Sequence, residues 1–254
     1  MSLLSVKGLQ KSFGGVVAAN DVSFALDGGA LLAVIGPNGA GKSTIFNMVG
    51  GQLRPDRGSI TLAGRDITGL APRRIWRLGV GRTFQIAQTF LSMAVVENVQ
   101  MALISLAGRT RACWPDSAGL YRDEAIELLL RVGVGGHAER PCSELAYGDV
   151  KRVELAIALA SAPKLLLMDE PMAGMAASER RALMALISGI ARERGIGVLF
   201  TEHDMDAVFD HADVVLVLVR GEIIARGPPA EVRADPRVRE VYLGGVMPGA
   251  AHTV

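Results

Sequence analysis

Cysteine is scarce in this chain: two in 254 residues, Cys113 and Cys142. Two cysteines at that spacing make neither a metal site nor a disulfide framework, so reduced thiols in a cytosolic protein are expected. Aromatic residues amount to 5%, which argues against the stacking platforms of a single-strand nucleic-acid binder. Charge of one sign is missing as well. Lys and Arg number 27 against 26 Asp and Glu, for a net +1, so there is no basic excess of the kind a nucleic-acid partner needs. No apolar run reaches membrane-spanning length; residues 150–168 come nearest, and Lys151, Arg152, Glu154 and Lys164 interrupt them. The first residues lack the basic, apolar and cleavage regions of a signal peptide. A cytosolic or membrane-peripheral protein is expected. Internal repeats and low-complexity blocks are absent too. What is plentiful is apolar residues, half of the chain, enough to bury a sizeable core as one large domain or two small ones.

The informative stretch is Gly36-Pro37-Asn38-Gly39-Ala40-Gly41-Lys42-Ser43-Thr44, which contains the full phosphate-loop pattern G-x-x-x-x-G-K-S. An apolar run at 30–35 suits a buried strand before it, and residues 45–50 suit a helix after it. Strand, loop, helix is the context the motif requires. Its glycines let successive N–H groups point at phosphate oxygens, and the helix N-terminus adds partial positive charge at the same spot. Lys42 is placed to reach the β- and γ-phosphates and Ser43 to hold Mg²⁺. The bland alternative is a glycine-rich turn with a solvated lysine. A chance match arises in on the order of one in a hundred chains of this composition.

Along the chain, residues 3–9 and 16–26 read as strands around a turn at 12–15. Phe13 either stacks on adenine or packs in that small sheet. Turns are expected at 54–58 and 63–66 around a short strand at 59–62, then a basic helix at 72–78. Residues 79–84 read as a strand ending at Gln85, either a Mg²⁺ or water ligand or an ordinary loop residue. Residues 94–107 and 121–132 have helical spacing, a loop occupies 108–119, and a helix at 150–160 follows Leu145-Ala146-Tyr147-Gly148-Asp149. Three helical segments in a row break the strand–helix alternation, as an inserted helical subdomain does. Residues 165–169 form an apolar strand that ends at Asp169 and is followed by Glu170. Two adjacent carboxylates there fit a Mg²⁺ ligand and a water-activating base, or more blandly a helix-capping pair. A helix at 178–193 has Ser178 as its candidate cap. The strand at 197–200 runs into Thr201-Glu202-His203-Asp204, placing His203 at the same edge of a parallel sheet as Asp169 and Glu170. A strand pair around Arg220-Gly221 and helices at 228–234 and 236–243 follow, and 244–254 read as a frayed tail.

Taken in this order, these elements resemble the ATP-binding subunit of an ABC transporter over the chain up to about residue 245. More closely, 79–85, 95–99, Leu145-Ala146-Tyr147-Gly148, 170–174 and 241–244 resemble the larger ATPase subunit of branched-chain amino acid importers. The resemblance implies an α/β fold: a P-loop NTPase (RecA-like) parallel-sheet core at 1–93 and 162–245. To this it adds a small N-terminal antiparallel β subdomain and an inserted helical subdomain at about 94–161. It implies ATP and Mg²⁺. By the same resemblance Phe13 is expected to stack on adenine, Gln85 and Asp169 to touch the metal, Glu170 to act as the base and His203 to contact the γ-phosphate. Residues 146–149 are expected to complete the site of a second ATPase subunit, identical or different. Two membrane-spanning permease subunits and, indirectly, a solute-binding protein are the other partners, on the cytoplasmic face of the plasma membrane. Residues after Gln85, including Ile86, Phe90 and Met93, are expected to line the permease groove. Three departures stand out. Ala146 replaces the usual signature serine, Asp149 stands where glutamine is common, and Ala176 replaces a polar residue. Competing readings are an importer of urea, amides or small organic acids, an exporter ATPase, a non-transport ABC ATPase and a phosphate-loop kinase.

Overall fold

The structure, a computed structural model, describes residues 2–83, 89–108 and 119–243. The chain opens with β1 (Leu4–Phe13) and β2 (Val16–Leu26), an antiparallel hairpin. The turn is tighter than the composition suggests. Ser12 and Phe13 still pair with Val17 and Val16, because Gly14 and Gly15, at φ 50° and 88°, supply both positive-φ positions of a two-residue hairpin. After β3 (Leu31–Ile35) and α1 (Lys42–Val49) come β4 (Arg57–Leu62) and β5 (Arg65–Asp66). The last pair corrects the expectation of a bare turn at 63–66. These strands form a four-stranded sheet in the order β2-β1-β4-β5.

The chain continues through α2 (Pro72–Arg77), β6 (Val80–Thr83), α3 (Val95–Leu106), α4 (Arg122–Arg131) and α5 (Tyr147–Leu159). Then come β7 (Leu165–Asp169), α6 (Ala177–Arg194), β8 (Gly197–Thr201) and α7 (Met205–His211). It closes with β9 (Val214–Val219), β10 (Glu222–Gly227), α8 (Pro229–Ala234) and α9 (Pro236–Leu243). The second sheet has the order β10-β9-β3-β8-β7-β6, parallel except for the β9–β10 hairpin. β3 therefore lies between strands that come much later in sequence, and the loop after it opens at a topological switch point.

Period-two alternation explains why this sheet is covered on both faces. Leu31, Ala33 and Ile35 of β3 join one apolar cluster with Met168 and Phe200 and with Val95, Leu129 and Leu155 of α3, α4 and α5. Leu32 and Val34 join another with Phe46 of α1 and with Leu4, Val6 and Leu9 of β1. A strand buried on both sides reads as a continuous apolar run, as β3 does.

Two helix starts differ from expectation. α5 begins at Tyr147, three residues before the expected start, because Asp149 and Val150 N–H both donate to the Ala146 carbonyl, at 3.0 and 3.1 Å. Ser178 lies inside α6 and does not cap it. The cap position is Ala176, whose N–H donates to the Glu179 carboxylate at 3.2 Å. Asn98 fastens the start of α3: its Oδ1 accepts Phe90 N–H at 2.7 Å, and its Nδ2 donates to the carbonyls of Phe90 and Ala94 at 3.1 and 3.0 Å.

Candidate active site

The β3–α1 loop is curled so tightly that side chains are excluded at two points. A Cβ on Gly36 (φ 155°) would lie 2.1 Å from the Leu218 carbonyl oxygen, and one on Gly41 (φ 105°) 2.1 Å from that of Ala18. The loop is thereby pressed onto β9 and β2, with the first N–H groups of α1, which have no intrahelical acceptor, at its mouth. Lys42 is 8% exposed. Its ammonium donates to the loop's own Gly36 and Pro37 carbonyls at 2.7 and 3.1 Å. Burial pushes its pKa below the ordinary 10.5, opposed by the charges of Glu170 and Asp169. A cavity of about 220 Å³ lies here, lined by Ala18, Asn38, Gly39, Ala40, Gly41, Lys42, Ser43, Thr44, Glu170 and His203. Loop, carboxylate and imidazole, read from three distant parts of the sequence, thus share one wall.

β7 and β8 are parallel neighbours with Asp169 opposite Thr201. The Thr201 hydroxyl donates to Asp169 Oδ1 at 2.7 Å, and His203 Nε2 lies 2.8 Å from Glu170 Oε1. Glu170 has a left-handed backbone (φ 48°), unusual for a residue with a side chain. Its N–H donates to the Thr201 carbonyl and hydroxyl at 3.2 and 3.1 Å. Two residues without an expected role matter here. Thr201 orients Asp169, and Glu202 accepts bonds from the loops of both strands. Only their place in a strand-end run beside His203 hinted at either.

Phe13 is not packed in its sheet: it is 49% exposed at the hairpin tip, with the Lys11 ammonium 5.6 Å from the ring centroid. Asp56 anchors this tip by accepting from Lys11 Nζ at 2.6 Å and Ser12 N–H at 2.9 Å. Gln85 and Ile86 lie outside the described residues, whereas Phe90 and Leu91 beyond them are exposed. Ala146, Tyr147, Gly148 and Asp149 do not line the cavity. They sit at the start of α5 against the segment that follows Glu170: a Cβ on Gly174 would be 3.3 Å from the Tyr147 ring, and one on Gly148 3.3 Å from the Glu179 carboxylate. Asp149 is 4.0 Å from His137 Nε2, a local counter-charge when that imidazole is protonated.

The residues fit a magnesium nucleotide. Ser43, which lines the cavity, and Asp169, whose charge acts on Lys42, carry oxygen donors of the hard kind that Mg²⁺ prefers. Among the described residues no group of three or more His, Cys, Asp or Glu is arranged to hold a metal unaided. The ABC transporter family model matches residues 19–173. The chain belongs to the ABC transporter family. A second model, for the branched-chain amino acid ATP-binding cassette transporter, matches residues 222–247. The chain is 39% identical over 250 residues to the high-affinity branched-chain amino acid transport ATP-binding protein LivG of Salmonella typhimurium, covering 95% of this chain and 98% of that one. It is 37% identical over 249 residues to BraF of Pseudomonas aeruginosa, a protein of the same description, again covering 95% and 98%. A crystal structure of a nucleotide-free ATP-binding cassette from an ABC transporter superposes with a TM-score of 0.85 at 31% identity, covering 95% of this chain and 99% of that one. As an ABC cassette, the protein has the P-loop NTPase fold that the family resemblance implied.

Proposed function

We propose that this cassette is the ATP-hydrolysing subunit of an importer for branched-chain amino acids. It sits on the cytoplasmic face of the membrane beneath two permease subunits and pairs with a second ATPase subunit. The observation that carries the reading is the Glu170–His203 contact of 2.8 Å on the wall of the phosphate-loop cavity. The choice of solute rests on the relatives and on the C-terminal match at 222–247. No helix among the described residues is long and apolar enough to cross a membrane, which suits a subunit that drives separate permeases.

Phe13 takes the adenine ring. The loop N–H groups from Gly36 to Thr44 wrap the phosphates. Lys42 exchanges its carbonyl partners for β- and γ-phosphate oxygens, which restores to its charge the compensation that burial withholds. Ser43 and Asp169, with Gln85 as the further ligand expected from the sequence, would hold Mg²⁺, which would supply charge neutralisation at the phosphates. Glu170 takes a proton from the attacking water as its oxygen bonds to the γ-phosphorus and the bridging oxygen leaves with ADP. His203 lies beside that carboxylate and contacts the γ-phosphate. One loop and one helix start cover a single side of a triphosphate. The α5 N-terminus, through Tyr147, Gly148 and Asp149, therefore closes the opposite side of the site on the second ATPase subunit. Ala146 brings no hydroxyl to that contact. Loss of the bridging γ-phosphate releases the closed pair, and the permeases follow that motion.

The test is reconstitution of the chain with its permeases, second ATPase subunit and binding protein in sealed vesicles. ATP-dependent uptake of labelled leucine, isoleucine or valine is expected. Uptake of urea, amides or small organic acids instead would replace the assigned solute. Hydrolysis with no transport of any of these would remove the importer assignment.

A further inference from the structure

One buried carboxylate has no part in the scheme above. Glu202 is 6% exposed. Its Oε1 accepts the N–H of Met172 at 2.8 Å, and its Oε2 accepts the N–H of His203 at 3.2 Å. It thus bridges the segments leaving two parallel strands, β7 through Glu170 and β8 through His203. Three consecutive residues reach across this gap: Thr201 to Asp169, Glu202 to Met172 and His203 to Glu170. Burying a carboxylate is costly. The cost is visible in the direction of its titration: burial is the main cause pushing it above the ordinary 4.5, the Met172 and His203 N–H groups pull it down, and the Glu170 charge pushes it up. An apolar side chain would fill the space without that penalty.

What the carboxylate holds is the turn that begins at Glu170, which the Ala173 N–H closes on the Glu170 carbonyl at 3.1 Å. Glu170 is in the left-handed region (φ 48°), a conformation that persists only where surrounding structure enforces it. Its own N–H is tied to Thr201, and the N–H two residues on is tied to Glu202. Because Glu202 also grips the His203 peptide, the supports of the two side chains facing the cavity are cross-linked through one group. We infer that Glu202 is a positioning residue for ATP hydrolysis, setting the spacing and orientation of Glu170 and His203 without touching the nucleotide. The inference rests on the roles proposed for those two residues.

Glu202→Gln, in the complete assembly, tests it. The amide keeps the shape and one acceptor oxygen but sets an NH₂ group against one of the two N–H donors. Because small misplacements of reacting groups cost up to about a hundredfold in rate, a roughly 10- to 100-fold fall in kcat is expected. KM and affinity for ATP should stay within about twofold, since the contacts of the phosphate loop with the nucleotide are untouched. In a Glu170→Gln background the same change should add a much smaller loss than it does in the wild type, because much of its effect passes through Glu170. Normal kcat for Glu202→Gln beside an inactive Glu170→Gln overturns the inference and leaves the ATPase reading standing. Parallel loss of ATP affinity and kcat also overturns it. Normal turnover in Glu170→Gln itself removes the reading beneath it. Should Glu202→Gln fail to fold, hydrogen exchange of the wild-type protein decides: slow exchange at the Met172 and His203 amides is expected, and exchange at free-loop rates overturns the inference.

Discussion

Replacing Glu170 by glutamine removes a proton acceptor and a negative charge that acts on Lys42. Glu170 Oε1 lies 2.8 Å from His203 Nε2, and an amide oxygen can keep that contact. The bonds from the residue's own N–H to Thr201 involve the backbone and persist. What disappears is the capacity to take a proton from water. General base catalysis contributes roughly 10²- to 10⁴-fold, which at about 1.36 kcal/mol per tenfold is about 2.7–5.4 kcal/mol of barrier. ATP affinity should hold or tighten. The carboxylate lines the phosphate cavity and interacts with Lys42, so its removal takes negative charge away from a site meant for a triphosphate. Single-turnover phosphate release and a nucleotide titration on the same preparation give both numbers. Turnover near the wild-type rate, or loss of ATP binding in proportion to the rate, would refute the role given to Glu170.

Three further outcomes follow from other parts of the molecule. Phe13→Ala should weaken ATP binding roughly tenfold, since stacking of a base on an aromatic ring contributes about 1–3 kcal/mol; unchanged affinity in a nucleotide titration would leave the exposed ring without its role. Asn98→Ala should lower stability by about 3 kcal/mol, at about 1 kcal/mol for each of the side chain's three bonds to backbone groups, and the melting temperature by roughly 6–12 °C. A calorimetric shift well below that range would show that these bonds do not hold the start of α3. Glu202 titrates above its ordinary 4.5 because of burial and the neighbouring Glu170 charge, opposed by His203 and two N–H donors. The stability linked to its protonation is therefore full below pH 4.5 and lost as pH rises through its folded value. Glu202→Gln lacks that loss, so its melting temperature relative to wild type should climb from pH 4.5 towards neutrality; a flat or falling difference contradicts the sign.

Local chemistry made much of the molecule legible. A motif that demands a strand before it and a helix after it placed β3 and α1, and apolar runs placed β7, β8 and β9. Sheet order was not legible, because nothing local says that β3 lies between β8 and β9. The start of α5 was misplaced because Gly148 and Asp149 have the composition of a loop. In the fold they occupy the first turn, where an acidic residue suits the helix dipole. Ser178 had the right chemistry for a cap, but the helix begins one residue earlier and Glu179 closes it instead. Asp169, Glu170 and His203 could be placed at one edge from strand polarity alone. Glu202 could not be distinguished from a solvated strand-end glutamate until β7 and β8 were paired, since its two partners come from different loops.

The account turns on one chain's helix start closing another chain's phosphate site. The direct measurement is the structure of the Glu170→Gln assembly with its permeases, loaded with ATP and Mg²⁺. The Gly148 N–H is expected within hydrogen-bond reach of a γ-phosphate seated on the second ATPase subunit. Gly148 remote from every triphosphate in that loaded state would contradict the account.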